Sequence, residues 1–284
     1  MTMKDKIVVV TGGTDGIGKV TARELATLGA HVTIIGRNAA KGDTVLREVR
    51  AQTGNEHVDF LLADLSTRRG VLQAGSALNE RFGHIDVLVN NAGAIFQTRQ
   101  LSADGIEMTL ALNHLGYFHL TSQVIGLLKE ADQGRVVNVA SAAHVGAKLD
   151  LSDLQVEQNY SGWTAYSRSK LANIHFTHEL ARRLEGTRVT ANCLHPGFVA
   201  SSFGNNNGGF FGFVFGLAKR VGAIPENEGA KTSLHLATAP ELKLVNGKYF
   251  DKCKEVQSSL ASYDEAIEGE LWERSEVLCG SPFK

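Results

Sequence analysis

Lys6-Ile7-Val8-Val9-Val10-Thr11-Gly12-Gly13-Thr14-Asp15-Gly16-Ile17-Gly18 decides the fold. Its first part is a continuous β-branched run, the mark of a strand buried on both faces. A glycine-rich turn follows, and from Ile17 the spacing of apolar residues becomes helical. Gly12 permits a tight turn, Gly16 lets backbone approach a pyrophosphate, and Gly18 permits close helix–strand packing. The helix N-terminus favours an anion, because its free N–H groups and its dipole both point there. A plain turn is the rival reading, but the strand before and the helix after weigh against it.

Outward from this turn the same rhythm repeats. Apolar β-rich runs recur at residues 7–10, 31–35, 58–62, 85–89, 135–139, 189–194 and 248–250. Helical periodicity occupies 17–28, 39–51, 71–82, 106–128, 165–184 and 229–237. The alternation predicts an α/β protein: a single-domain, doubly wound (Rossmann) parallel sheet with helices on both faces, spanning 1–284. Two longer stretches, 142–164 and 197–224, follow carboxyl ends of strands, where open α/β sheets bind ligands.

Composition narrows the function classes. The chain has 29 basic and 30 acidic residues, a formal charge of −1, and no basic stripe, which argues against nucleic acid. Its cysteines, Cys193, Cys253 and Cys279, lie far apart and lack zinc-site spacing, so no metal is expected and a reducing compartment is. The first strand begins too early to leave room for a signal peptide. The most apolar run, Phe210 to Ala218, is short and interrupted by Gly212 and Gly216. No transmembrane anchor and a cytoplasmic location are the expectation.

Chemistry is concentrated in the second half. Tyr166 and Lys170 stand four apart, which puts a phenol and an ammonium on one helical face. A neighbouring cation lowers the phenol pKa toward the range useful for proton transfer. Ser141 ends an apolar strand between the glycine turn and this helix. After the second strand, Gly36-Arg37 offers no acid for ribose hydroxyls but a guanidinium suited to a 2′-phosphate, so NADP(H) is expected over NAD(H). The rival reading of Arg37 is a solvent-facing loop charge. Asp64, with Leu65 beside it, is placed to meet the adenine, or else caps its loop.

These residues together resemble the short-chain dehydrogenase/reductase family over nearly the whole chain. The resemblance rests on Thr11-Gly12 to Gly18, Asp64, Asn90-Asn91-Ala92-Gly93, Asn113, Ser141, Tyr166-x-x-x-Lys170 and Pro196-Gly197. Asn113-His114-Leu115-Gly116, Ser169-Lys170-Leu171-Ala172-Asn173 and His195-Pro196-Gly197 are similar to the retinol-dehydrogenase-like branch. The resemblance implies that Tyr166 is the general acid/base and that Lys170 binds the nicotinamide ribose. It implies that Ser141 hydrogen-bonds the carbonyl oxygen and that Asn113 holds a water in a proton relay. It also implies cofactor contacts from Thr14, Asp15, Asn91, Ala92, Gly93, Pro196, Gly197, Val199 and Ser201, and a homo-oligomer, most simply a dimer. That pairing would run through the helices carrying Asn113 and Tyr166, with Leu171, Ile174 and Leu180 as apolar material.

The substrate side is expected to include Ser141, His144, Trp163 and Phe203. The segment at about 198–224 is rich in phenylalanine and reads either as a flap over a small lipophilic carbonyl or alcohol, or as a small packed helix. His175 and His178 suit packing or a subunit contact. Two functions stay open at this point: an NADP(H)-dependent oxidoreductase interconverting a hydrophobic alcohol and its aldehyde or ketone, and a non-catalytic NADP-binding regulator on the same fold.

Overall fold

The computed structural model describes residues 2–198 and 224–284. Strands β1 (Ile7–Thr11), β2 (His31–Gly36), β3 (Val58–Leu62), β4 (Val87–Asn90), β5 (Gly134–Val139), β6 (Val189–His195), β7 (Tyr249–Asp251) and β8 (Lys254–Val256) form one sheet in the order β3-β2-β1-β4-β5-β6-β7-β8. Pairing is parallel up to β7 and antiparallel between β7 and β8. The chain winds one way from β1 to β3, then returns to place β4 on the other side of β1. The crevice at this reversal, beyond the carboxyl ends of β1 and β4, is where an open sheet takes a ligand.

Helices α1 (Gly16–Thr27), α2 (Ala39–Thr53), α3 (Arg68–Arg81), α4 (Met108–Leu110), α5 (Gly116–Glu130), α6 (Gly162–Arg183), α7 (Glu226–Thr238) and α8 (Glu265–Cys279) cover both faces. Alternation along a strand separates two cores. Val8 and Val10 face Leu25, Val45 and Leu236 of α1, α2 and α7. Val9, between them, belongs to the opposite core with Leu78, Phe118 and Leu180 of α3, α5 and α6.

Three features depart from the sequence expectation. The helix expected over 106–128 is broken by a π turn at Ala111–Leu115 between α4 and α5. The cause lies inside it: Asn113 Nδ2 donates to the Ala94 carbonyl and to Ser169 Oγ, each at 3.0 Å, and Oδ1 accepts from Ala94 N–H at 2.9 Å. The second departure is β8, which closes a hairpin through Lys252 and Cys253, both at positive φ. No Asn-Gly marks that turn.

The third is α8. Asp264 caps its first turn by accepting from Ala266 and Ile267 N–H, and Gly280 at φ 73° ends it. It packs along α6 and the start of α5 through Trp272, whose ring lies 4.9 Å from Phe118 and 4.6 Å from Phe283. Glu268 joins it to α6 by hydrogen bonding His178 Nδ1 at 3.0 Å and pairing with Arg182. Leu171, Ile174 and Leu180, named as dimer material, are each 0% exposed inside the single chain. They are core residues.

Candidate active site

The glycine turn is built against the end of β4. Gly12 adopts φ 64°, and a Cβ there would stand 2.7 Å from Ala92 Cα. At Gly18 a Cβ would meet Gly12 O and Asn91 Nδ2 at 2.4 Å each, so only hydrogen fits. Thr11 Oγ1 accepts from Asn91 N–H at 2.8 Å and Ala92 N–H at 3.0 Å, and Asn91 Nδ2 donates to Thr11 O at 3.0 Å. The threonine and asparagine thus fix the two cofactor-side loops to each other. Thr11 had been part of the motif but not of the expected site.

A cleft of about 700 Å³ opens over this turn. Its floor and one end are Gly12, Thr14, Asp15, Gly16, Ile17 and Gly18, then Arg37, Asp64 and Leu65. Asn91, Ala92, Gly93, Pro196 and Gly197 line it further along, and Ser141, Trp163, Tyr166 and Lys170 line the other end. The structure therefore brings together most of the residues expected from sequence. Val199, Ser201 and Phe203 lie outside the described residues, as does the phenylalanine run from Phe210.

Several of these residues also have structural partners of their own. Asp15 is first the N-cap of α1, accepting Gly16 N–H at 2.9 Å through Oδ1, while Oδ2 pairs with Lys41 Nζ at 2.6 Å. Asp64 Oδ1 accepts from Ser66 N–H at 3.0 Å and Oγ at 2.7 Å, so it caps its loop while still lining the cleft. Asn113 spends its amide on Ala94 and Ser169 and stands beside Gly93; a Cβ on Gly93 would lie 3.3 Å from Asn113 Oδ1 and 3.5 Å from Lys170 Nζ.

His144 is the clearest correction. Expected on the substrate side, it is 2% exposed and is not among the described residues lining the cleft. Nδ1 lies 2.6 Å from Ser141 O, and Nε2 lies 3.0 Å from Ser259 N. A backbone carbonyl accepts and a backbone N–H donates, so the proton sits on Nδ1 and the ring is neutral. Burial lowers its pKa in the same direction. His144 is a strut between the Ser141 loop and the turn at Leu260–Tyr263.

At the far end of the cleft Tyr166 and Lys170 are buried. Ser141 Oγ caps a short 3-10 turn (Ala142–His144) by accepting Ala143 N–H at 3.2 Å, and its side chain also hydrogen-bonds Tyr166. Burial pushes the Tyr166 phenol up to about 12, and the Ser141 bond opposes that rise. Burial likewise brings Lys170 down to about 7; Nζ lies 5.7 Å from the Tyr166 ring centroid. The lowering of the phenol by Lys170, expected from the spacing, is not what shifts it: burial raises the phenol, and the opposing influence is the Ser141 hydrogen bond.

Sequence reasoning missed His195, Lys41 and Phe198. His195 Nδ1 accepts Ala142 N–H at 3.1 Å and Gly197 N–H at 3.4 Å, holding the Ser141 and Pro196 loops together at the cleft wall. In the sequence it stands only as part of His195-Pro196-Gly197. Phe198, 41% exposed, and Trp163, 55% exposed, flank the opening.

Comparison with known proteins gives the class. A family model described as short chain dehydrogenase matches residues 6–208. Human retinol dehydrogenase 11 is 40% identical over 277 residues, covering 98% of this chain and 86% of that protein. Among solved structures, an uncharacterised protein from Mycobacterium paratuberculosis superposes with a TM-score of 0.81 at 32% identity, over 100% of this chain and 96% of that one. A short chain dehydrogenase from Burkholderia cenocepacia in complex with NADP gives 0.71 at 26% identity, over 88% and 97%. The chain belongs to the short chain dehydrogenase family, in its retinol-dehydrogenase-like branch. It is an oxidoreductase acting between CH–OH and C=O. No helix among the described residues is long and apolar enough to cross a membrane.

Proposed function

We propose that the protein is an NADP(H)-dependent oxidoreductase that interconverts a hydrophobic alcohol and its aldehyde or ketone. The observation that carries this is the convergence of Ser141, Tyr166 and Lys170 on one end of a cleft whose other end is the glycine turn. The donor set fits the cofactor: a glycine turn at a helix N-terminus suits a pyrophosphate, and Arg37 suits a 2′-phosphate. NADP(H), when bound, supplies or accepts the hydride.

In reduction Tyr166 gives its O–H proton to the carbonyl oxygen while hydride adds to the carbon. In oxidation Tyr166 takes the alcohol proton while hydride leaves the carbon. Ser141 donates a hydrogen bond to the oxygen and steadies the charge that develops there. A phenol held near 12 stays protonated at neutral pH, which favours the donor role. Lys170 anchors the ribose, and its positive charge eases loss of the phenolic proton in the reverse direction.

A non-catalytic regulator on this fold has no chemical use for Ser141 and Tyr166 joined by a hydrogen bond. Around them Ile95, Leu112, Ala142, Ala143, Trp163 and Phe198 line the cleft, which supports a lipophilic substrate. Three free cysteines support a reducing, cytoplasmic setting. A homo-oligomer would have to use surfaces other than Leu171, Ile174 and Leu180. Tyr166→Phe tests the reading: turnover of aldehydes with NADPH should vanish while NADPH still binds. Turnover at the wild-type rate would overturn it.

A further inference from the structure

We propose that Tyr117 is a positioning residue for Lys170: its ring is one wall of an aromatic cage, Tyr166 being the other, that holds the ammonium in place and favours its charged form. The proposal rests on the role given to Lys170 above. Lys170 Nζ lies over both rings, 5.5 Å from the Tyr117 centroid and 5.7 Å from that of Tyr166. A cation within about 6 Å of a ring face is attracted to it, and more strongly away from water. Tyr117 is 1% exposed and Lys170 3%, so bulk solvent does not screen this contact. The helix start puts the ring there. The π turn ends with Gly116 N–H donating to Ala111 O, five residues back, and Tyr117 is the second residue of α5. The extra residue in that turn rotates α5 by about 100° from the course α4 set.

Lys170 has little polar support. Its ammonium donates to the Val139 carbonyl, and burial lowers its pKa to about 7 with no carboxylate among the described residues to oppose the fall. The titratable groups set against it are Tyr166 on its own helix and Tyr117 on α5. The end of β5 offers the Val139 carbonyl, and the loop carrying Gly93, 3.5 Å away from a Cβ at that glycine, offers nothing that titrates. Two ring faces thus stand where a buried ammonium ordinarily has an anion. Each favours the charged form and so opposes the effect of burial. Tyr117 adds no acid of its own: burial pushes its phenol well above the usual range, and a charge on Tyr166 pushes it further. Its Oη has no hydrogen-bond partner among the described residues. A buried hydroxyl of that kind costs stability, so the ring face is the working part of this side chain.

The test is a pH titration of Lys170 by NMR of its labelled Cε, the signal being assigned by its loss in Lys170→Met. Wild type is compared with Tyr117→Leu, with Tyr117→Phe and with pentafluorophenylalanine in place of Tyr117. The fluorinated ring keeps the packing but reverses the charge on its face, and thermal melts check the folding of each protein. In the Leu and pentafluorophenylalanine proteins Lys170 should titrate about 0.5–1.5 pH units lower. Aldehyde reduction at about pH 7 should fall roughly 2- to 15-fold in both, the alkaline limb of the pH–rate profile moving the same way. Tyr117→Phe keeps the face, so it should hold the wild-type midpoint and melt no earlier than wild type. An unmoved Lys170 midpoint in the pentafluorophenylalanine protein would overturn the proposal. So would a shift in Tyr117→Phe as large as in Tyr117→Leu, because the hydroxyl would then be the working part. A wild type that reduces no aldehyde with NADPH would instead overturn the oxidoreductase reading, and the Lys170 midpoints would still decide the role of Tyr117.

Discussion

Lys170 Nζ donates to the Val139 carbonyl across 2.9 Å, tying the helix that carries Tyr166 to the end of the strand that leads into Ser141. The bond fixes the spacing of two functional groups from different elements. It also keeps an ammonium at 3% exposure. Burial at this level disfavours the charged form, which is why Lys170 titrates near 7 rather than 10.5.

That burial predicts a trade of stability against activity. The folded pKa lies below the unfolded one, so the folded state binds fewer protons between about 7 and 10.5 and stability rises with pH across that window. Below it the cost is fully present. Lys170→Met keeps the apolar stem and removes the charge, so it should raise Tm by a few degrees at about pH 6, less at about pH 10, and abolish turnover. A fall in Tm at about pH 6 would show that the bond to Val139 outweighs desolvation.

His144 allows a sharper distinction between strut and base. Replacing it by Ala removes two hydrogen bonds in a buried place and should cost about 1–3 kcal/mol of stability, read by denaturant titration. His144→Gln should lower kcat by loosening the Ser141 loop, yet the pH–rate profile should keep its shape. Loss of a limb of that profile in the Gln variant would mean that His144 exchanges protons after all.

How far the sequence could be read follows from where each signal was local. The strand–glycine–helix start and the Tyr166–Lys170 spacing are contiguous patterns, and both fell where expected. Arg37 and Ser141 were placed by the ends of strands alone. His144 was misplaced because closeness to Ser141 in sequence says nothing about ring direction; Ser259, far along the chain, decides it. The π turn at Asn113 was hidden because its cause is a tertiary contact with Ala94 and Ser169. The helix α8 had legible ends in Asp264 and Gly280, but its weak amphipathicity left nothing to join them: Glu268 is buried beside Leu271 and Trp272.

Glu268 predicts how acid undoes the C-terminal helix. Hydrogen bonds from His178 and Arg182, with His175 Nδ1 a further 3.7 Å contact, outweigh its burial and hold its carboxyl at about 2. The folded pKa lies below the unfolded value near 4.5, so the stabilisation is complete above about 4.5 and fades as pH falls toward 2. Glu268→Gln should cost about 2–3 kcal/mol at neutral pH, with the lower end set by the partly exposed Arg182. The same variant should flatten the loss of stability between pH about 4.5 and 2. A variant that unfolds in acid along the wild-type curve would show that other carboxylates govern that limb.

Gly18→Ala addresses the cofactor end. Its Cβ would press on Gly12 O and Asn91 Nδ2 at 2.4 Å, and backbone cannot yield as a flexible side chain can. Loss of NADPH binding together with a fall in Tm is expected, from calorimetry and melting. Retained affinity would mean that the turn is looser than its packing implies.

Substrate size should be read at the rim of the cleft. Trp163 stands 6.1 Å, centroid to centroid, from the Tyr166 ring and exposes half its surface beside the opening. Phe198 lines the same cleft, and its carbonyl accepts Ile224 N–H at 2.8 Å. Lys170 is the cation at this end, and it is turned to Val139, so a carboxylate or phosphate substrate would find no described partner at the rim. Burial of each methylene is worth at most about 0.8 kcal/mol, or roughly fourfold in kcat/KM. Across a series of straight-chain aldehydes kcat/KM should therefore climb until the added carbons leave the cleft. Trp163→Ala should flatten that climb while leaving small aldehydes nearly unaffected, because the ring contributes contact area and no chemistry. A flat wild-type series, or a preference for small charged carbonyls, would overturn the lipophilic assignment; an unchanged slope in the variant would move the size-sensing surface to the segment beyond Phe198.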